Sequence, residues 1–421
     1  MAADEEPTIK KIIARKVFNS RGELTLEVEV HTSKSVGRAA APSGASKGKH
    51  EVVPFPTGGI NEAIRRVKEL VEPKLLGKSV LEQREIDEAL HEIDGTENFS
   101  RIGGATALAI SVAVANAAAN SMNIPLAKYI GGGANQLPLP LGNVVGGGKH
   151  APGKSIDVQE VLVIPTNPPS YFQAFLAVVK VHKEVGRKLK DEDPSFTGGR
   201  NDEGAWTTTL PLDKVLDIVA RACEKVSAEV DFSIRIGLDV AASSLWNDAE
   251  QRYVYRFEGV RRTTEEQYEY ISRLIDEYEL VYVEDPFHEE DFASFAKLTI
   301  KYGSKALICG DDLFVTNADR LREGISASAA NAIIIKPNQV GTLSDAIETT
   351  KLALENKITP VVSHRSGETT DDYIAHFAVA MEAPIIKTGV LGGERIAKHN
   401  ELIRIEEFLG SDASIASLVQ G

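Results

Sequence analysis

The chain has 421 residues, 43% hydrophobic and 26% charged, which is the balance of a soluble globular protein with material for a large core and two or three domains. Lys plus Arg number 47 against 61 Asp plus Glu, a net charge of −14 with no basic run, so nucleic acid and anionic membrane surfaces are excluded as partners. Two cysteines, Cys223 and Cys309, exclude a disulfide framework and a Cys-only metal site. The opening MAADEEPTIKK carries no basic-then-apolar signal pattern, and a reducing cytoplasm is the expected compartment.

Leu24, Leu26, Val28 and Val30 alternate with Thr25, Glu27, Glu29 and His31, which predicts a strand with one buried face. Residues 9–18 are its expected antiparallel partner, with Ser20-Arg21-Gly22 at the turn. The period then changes. Ile64, Val67 and Val71 share one helical stripe, and Ile86, Leu90 and Ile93 another, with Ser79 as the expected cap of the second helix. The apolar run 105–119, interrupted by Thr106, Ser111 and Asn116, falls short of the roughly 18 apolar residues of a membrane span and reads as a buried Ala-rich helix. Strands followed by helices predict a small α+β domain. Gly131-Gly132-Gly133 followed by Pro138 and Pro140 breaks the pattern, dividing the chain into residues 1–135 and 136–421.

Beyond that boundary, β-branched apolar runs recur, each ending on a charged or polar residue. Residues 232–238 run into Asp239, 280–283 into Glu284, 306–310 into Asp311 and Asp312, and 332–335 into Lys336. Residues 360–363 run into His364-Arg365-Ser366, and 384–386 into Lys387. The first polar residues after each run lie 45, 27, 25, 28 and 23 positions apart. A step of about 25 residues holds one strand, one helix and two loops. The longer first step predicts a hairpin insertion around residues 251–257, a candidate flap. Near-continuous apolar strands alternating with helices predict a parallel sheet and a (β/α)-barrel.

In such a barrel the C-terminal strand ends converge on one rim. One charged residue after a strand is ordinarily a cap or a solvated loop residue. Six in register, acids first and cations after, exceed that explanation. Asp239, Glu284 and Asp311 repel one another there unless a cation lies between them. Oxygen-only ligation favours a hard ion, Mg²⁺ before Ca²⁺ or Mn²⁺. Asp312 is expected to point the other way. Arg365 presents a fork suited to phosphate or carboxylate. A lysine beside a divalent ion and a second lysine has a depressed pKa and can act as a general base. The reaction class that follows is proton abstraction α to a carboxylate, with a metal holding the enolate charge.

Two glycine-bearing loops border this rim, PSGASKG at residues 42–48 and GGGKH at 146–150, both candidate lids. Glu160, before the apolar strand 161–164, and Glu203, in a polar loop, are alternative acids for a β-elimination. Gly77-Lys78-Ser79 lacks the first glycine of a P-loop, since position 72 is Glu72, and no GxSxG, HExxH or GxGxxG is present.

Taken together, NSRG at Asn19, SGASKG at Ser43, DGTEN at Asp94, QE at Gln159, DEG at Asp202 and GLD at Gly237 resemble the enolase (phosphopyruvate hydratase) family. So do EDPF at Glu284, DDL at Asp311, KPNQVGT at Lys336, SHRSGET at Ser363, IKTG at Ile386 and RIEE at Arg404, over nearly the whole chain. Enolase-superfamily sites are a known instance of a Lys or His base working with one or two Mg²⁺ ions. The resemblance implies an α/β fold, a modified (β/α)8 TIM-type barrel with an N-terminal α+β capping domain, as a homodimer or higher homo-oligomer. It implies reversible dehydration of 2-phosphoglycerate to phosphoenolpyruvate in glycolysis and gluconeogenesis, with two Mg²⁺ per site. Asp239, Glu284 and Asp311 would hold the first ion, and Ser46 with the substrate phosphate the second. Lys336 would abstract the C2 proton, and Glu203, assisted by Glu160, would protonate the departing hydroxide. Arg365 and Ser366 would bind phosphate and Lys387 the substrate carboxylate, while His150 and His364 would close over the substrate. The location implied is cytoplasmic, leaving a secondary surface or secreted pool open.

The sequence departs from the family pattern in four places. TGVLGGER follows Lys387 where Ala-Pro and then Arg or Ser is usual, and GAWTT follows Glu203 in place of GGFAP. His150 and Glu160 lie ten positions apart, one more than expected, and Lys47 stands where Thr is common. None removes an assigned residue; they bear on loop shape. Two alternatives stay open, a racemase or cycloisomerase on a non-phosphorylated acid, and a catalytically idle scaffold of the same fold.

Overall fold

The computed structural model of the protein describes residues 6–44, 48–151, 153 and 155–418, without the side chain of His150. Alternation at the N-terminal end gives β2 (Leu24–His31), antiparallel to β1 (Lys11–Phe18) on one side and β3 (Val36–Ala40) on the other. Leu26, Val28 and Val30 are buried as expected, whereas Leu24 at the strand's end is exposed. On the other face Glu29 pairs across the sheet with Arg15 at 2.9 Å and Arg38 at 2.8 Å.

The buried face of this sheet packs on the helix Gly104–Met122. The approach needs small residues, since a Cβ on Gly37 would stand 1.9 Å from the carbonyl oxygen of Ala113. This helix extends beyond the 105–119 run, and by length and composition it could cross a membrane, yet it is buried inside the protein. The stripe Ile64-Val67-Val71 rides on a helix, Gly59–Arg66, that widens into a π-helical turn, Val67–Val71. The next helix, Gln83–Asp94, is not capped by Ser79. Ser79 is held in an isolated bridge with Thr8, and the helix starts only after Glu82.

A short β4 (Gln136–Leu137) leads into β5 (Leu139–Gly146), β6 (Glu160–Pro165) and β7 (Ile234–Asp239). The flap is a three-stranded sheet of β8 (Trp246–Asn247), β9 (Arg252–Tyr255) and β10 (Val260–Arg262). Then come β11 (Tyr282–Glu284), β12 (Leu307–Gly310), β13 (Ala332–Ile335), β14 (Thr359–Ser363) and β15 (Ile385–Lys387). A final β16 (Ser414–Ile415) pairs with β4. Strands β5 to β7 and β11 to β15 close an eight-stranded barrel. Leu139, Leu141, Leu162, Ile164, Ile334 and Val361 are among the residues that fill its interior.

The sheet is not wholly parallel, as the runs alone predict. β6 is antiparallel to both β5 and β7, while the other barrel pairs are parallel. Only loop and a single 3₁₀ turn join β5 to β6, and without a crossover helix the chain must return antiparallel.

Candidate active site

The barrel geometry decides which side chains meet. Asp239, Glu284 and Lys387 are the last residues of β7, β11 and β15, and Asp311, Lys336 and His364 directly follow β12, β13 and β14. Because β6 runs the other way, its first residue, Glu160, reaches the same rim and lies opposite Asp239 in register. All of these but Glu284, with Glu51, Gln159, Glu203, Asp312, Arg365 and Ser366, surround one cavity.

The network inside it is built on ion pairs. The Lys387 ammonium sits 2.9 Å from Glu160, 3.0 Å from Asp239 and 2.8 Å from Glu284. Lys336 is paired with Asp311. Gln159 donates to Asp239 at 3.0 Å, Tyr282 to Glu284 at 2.6 Å and Gln339 to Asp311 at 3.2 Å. Burial, then the Asp239 charge, pushes the Glu284 carboxyl well above its ordinary range. Burial raises Asp239 too, against the pull of Lys387. Burial works the same way on Asp311, but Lys336 outweighs it and holds that carboxyl below the usual range.

A depressed pKa is expected of a lysine beside a divalent ion; among the side chains alone neither lysine is lowered. Burial pushes Lys336 down, but Asp311 more than restores it, and Lys387, with Asp239 and two glutamates around it, sits well above its ordinary value. Attraction to acids at hydrogen-bond distance exceeds the repulsion between two more distant ammonium groups. Asp312 differs from expectation. It lines the cavity beside Asp311, because β12 ends at Gly310 and strand alternation no longer applies. Burial and the Asp311 charge push its carboxyl up to about 7.

These residues fit a hard cation. The donors are all oxygen, and Oε1 of Glu284 is buried without a hydrogen-bond partner, a costly state that a cation relieves. The tightest acidic cluster among the described residues is nevertheless Asp285, Asp311 and Asp312, with ligand atoms within 4.8 Å of one another. Asp285 accepts the backbone N–H groups of Asp311 at 3.0 Å and Asp312 at 2.8 Å, so it shapes the loop that presents Asp311. Asp239 and Glu284 are bridged by Lys387.

The Arg365 side of the cavity is similarly paired. Arg365 forks onto Glu51 at 3.0 and 3.1 Å and donates to Asn338 at 3.2 Å. Across the cavity, Asn143 donates to Glu203 at 3.1 Å, and His364 Nε2 lies 3.7 Å from Glu203. Arg395 lies 2.8 Å from the other ring nitrogen of His364. Burial first, then the Arg395 charge, holds His364 well below its ordinary pKa.

Of the residues expected from the sequence, Glu160, Glu203, Asp239, Asp311, Lys336, His364, Arg365, Ser366 and Lys387 line the cavity, and Glu284 adjoins it through Lys387. Ser46 and the side chain of His150 lie outside the described residues. The flap does not line this cavity; it borders a neighbouring one with the loop at 148–157. Glu51, Asn143, Gln339, Asp285 and Arg395 were not anticipated. Glu51 stands in sequence beside the predicted lid and Arg395 within the flagged GVLGGER, the only signals that point to them.

Residues 9–130 match the family model described as Enolase, N-terminal domain, and residues 134–419 that described as Enolase, C-terminal TIM barrel domain. The chain is 53% identical over 405 residues to the curated enolase of Methanosphaera stadtmanae, covering 96% of this chain and 98% of that one. It is 52% identical over 403 residues to the enolase of Methanothermobacter thermautotrophicus, covering 96% and 97%. Against the enolase of Pyrobaculum aerophilum the identity is 50% over 411 residues, again covering 96% and 97%.

Proposed function

The chain belongs to the enolase family, and on that premise we propose that it is a hydro-lyase, interconverting 2-phosphoglycerate and phosphoenolpyruvate with loss of water. The observation that carries this reading is the single cavity in which a lysine, Lys336, and a carboxyl on another loop, Glu203, face a shared space lined by Arg365 and Lys387. A β-elimination needs that separation of base and acid.

In this reading Lys336 takes the proton from C2, and Glu203 gives a proton to the hydroxide leaving C3, so that water departs. Lys336 takes a proton only once Asp311, its present partner, is engaged elsewhere. Asn143 orients Glu203, and Glu160, held by Lys387, supports it from the next strand. Arg365 and Ser366 hold the phosphate, Lys387 neutralises the substrate carboxylate, and His150 and His364 close over the bound substrate. Asp239, Glu284 and Asp311 would hold one Mg²⁺, and Ser46 with the substrate phosphate would hold a second. When bound, Mg²⁺ supplies positive charge against the negative charge that builds on the substrate carboxylate.

We also place the domain division between residues 135 and 136, and the protein in the cytoplasm as a homodimer or higher homo-oligomer. Two buried, unpaired cysteines support the reducing compartment, and the exposed Phe18 and Leu24 of the N-terminal hairpin support association. The test of the activity is direct. Purified protein with Mg²⁺ and 2-phosphoglycerate should generate the enol absorbance, and EDTA should abolish it. No absorbance with Mg²⁺ present overturns the dehydration. Absorbance that survives complete metal removal overturns the metal assignment.

A further inference from the structure

Arg395 is fully buried at the start of the helix Gly393–Leu409 and does not line the cavity. It nonetheless reaches both catalytic loops. One guanidinium nitrogen donates to the Arg365 carbonyl at 2.6 Å and lies 2.8 Å from His364 Nδ1. The other donates to the Ser366 carbonyl at 2.7 Å and the Asp202 carbonyl at 3.3 Å. A guanidinium has donors and no acceptor. The ring nitrogen facing it must therefore offer a lone pair, which leaves the imidazole proton on Nε2. That nitrogen is the one 3.7 Å from Glu203.

We propose that Arg395 is a positioning residue that fixes His364 as the Nε2–H tautomer, making it a hydrogen-bond donor toward Glu203 and substrate and not a proton acceptor. The inference deepens the dehydration reading and rests on it for the role of Glu203. A proton on Nδ1 would set two donors head to head in a dry site. Among the groups around the ring, Arg395, Lys387 and Lys336 oppose a second proton and Glu160 favours one, while burial opposes it most. His364 thus turns an N–H toward Glu203, 3.7 Å away, without competing for its proton.

Two of the segments that depart from the family pattern also touch one another. A Cβ on Gly204 would stand 2.2 Å from the Leu391 carbonyl oxygen, and one on Gly389 2.9 Å from that of Glu203. GAWTT and GVLGGER are therefore packed on each other, backbone to backbone, and Arg395 ties the pair to His364.

Nitrogen-15 NMR of histidine-labelled, metal-free protein tests this, with the His364 signal assigned by its loss in His364→Gln. The wild type should show a proton on Nε2 and a bare Nδ1, unchanged between about pH 6 and 8. A proton on Nδ1, or titration within that window, overturns the proposal. Arg395→Met should mix the tautomers and lower kcat about 100-fold with little change in KM. Arg395→Lys, which keeps a donor, should retain the tautomer and recover part of kcat. If Arg395→Met fails to fold, the wild-type and Arg395→Lys spectra still decide. Absence of turnover in the wild type would sink the dehydration reading and leave the tautomer standing; the wrong tautomer in an active enzyme would sink this one alone.

Discussion

Asp157 joins two mobile-looking pieces of sequence, and its removal should uncouple them. Its carboxylate accepts the N–H of Phe257 at 3.0 and 3.1 Å and that of Glu258 at 3.0 Å. These are the free amides of the turn between β9 and β10, a small anion nest. The far side of the turn is fixed: Arg262 lies 4.0 Å from the Tyr255 ring centroid and 3.8 Å from that of Tyr270, and pairs with Glu258 at 2.9 Å. Tyr270 belongs to the barrel helix Thr264–Tyr278, so the flap is a post and Asp157 pins the loop preceding Glu160 to it. A hydrogen bond to a charged group contributes about 1.5–3 kcal/mol. Two amides at the low end give about 3 kcal/mol, since water reaches the turn once it opens. That is about 100-fold in a local opening equilibrium. In Asp157→Ala, hydrogen exchange at Phe257 and Glu258 should accelerate by about that factor. Asp157→Asn, which keeps neutral hydrogen bonds, should fall between the two. Because the same loop leads directly into Gln159 and Glu160 on the cavity wall, kcat/KM should drop about tenfold while the fold stays intact. Unchanged exchange at both amides in Asp157→Ala would refute the clamp.

The remaining predictions concern the cavity and the core. Lys336→Ala should abolish exchange of the substrate C2 proton with solvent, and exchange that persists, followed by mass spectrometry in deuterated water, would assign another base. Glu203→Gln should keep that exchange and block elimination by at least about 100-fold; loss of both would make Glu203 a positioning group. Glu51→Gln removes the carboxylate that occupies the Arg365 fork, so inorganic phosphate should bind the metal-free protein about tenfold more tightly by calorimetry. Weaker binding would show that Glu51 holds Arg365 in place. Burial lowers His182 to about 4 and His399 to about 3, so below about pH 6.5 the unfolded chain takes up protons that the fold refuses. The part of stability due to these two rings should be complete above that pH and fall by about 4 kcal/mol at about pH 5, read as the denaturant-midpoint shift of the wild type relative to a His182→Gln, His399→Gln variant. An unchanged midpoint would mean that neither ring stays neutral.

The residues most legible in the sequence were those at the ends of parallel strands. A parallel strand buried on both faces is a continuous apolar run, and the first charged residue after it marks the rim. Asp239, Glu284, Asp311, Lys336 and Lys387 were found in this way, and His364 and Arg365 with them. β5 escaped because Pro138 and Pro140 read as a break, although Pro140 lies inside the strand, in parallel register with Ile386. The direction of β6 escaped because nothing in its own residues encodes it; the helix-free connection before it does. Arg395 and Glu51 were invisible for a different reason. Each acts through a partner far away in sequence, Arg395 on His364 and Glu51 on Arg365, and no local period records such a contact.

Charge arithmetic within the cavity accounts for the raised lysines as well. Among the described residues, Glu51, Glu160, Glu203, Asp239, Asp311 and Asp312 line the space against Lys336, Arg365 and Lys387. Each of those cations is already paired: Lys336 with Asp311, Arg365 with Glu51, and Lys387 with three acids. An unpaired buried charge is costly, so the acids and the cations of this cavity neutralise one another. The excess of acid would favour a cation there, and a cation held by Asp239, Glu284 and Asp311 would free Lys336 and Lys387, while Arg365 stays paired with Glu51. A site with the opposite surplus would attract the anion first, and its base would be tied to substrate rather than held in reserve on Asp311.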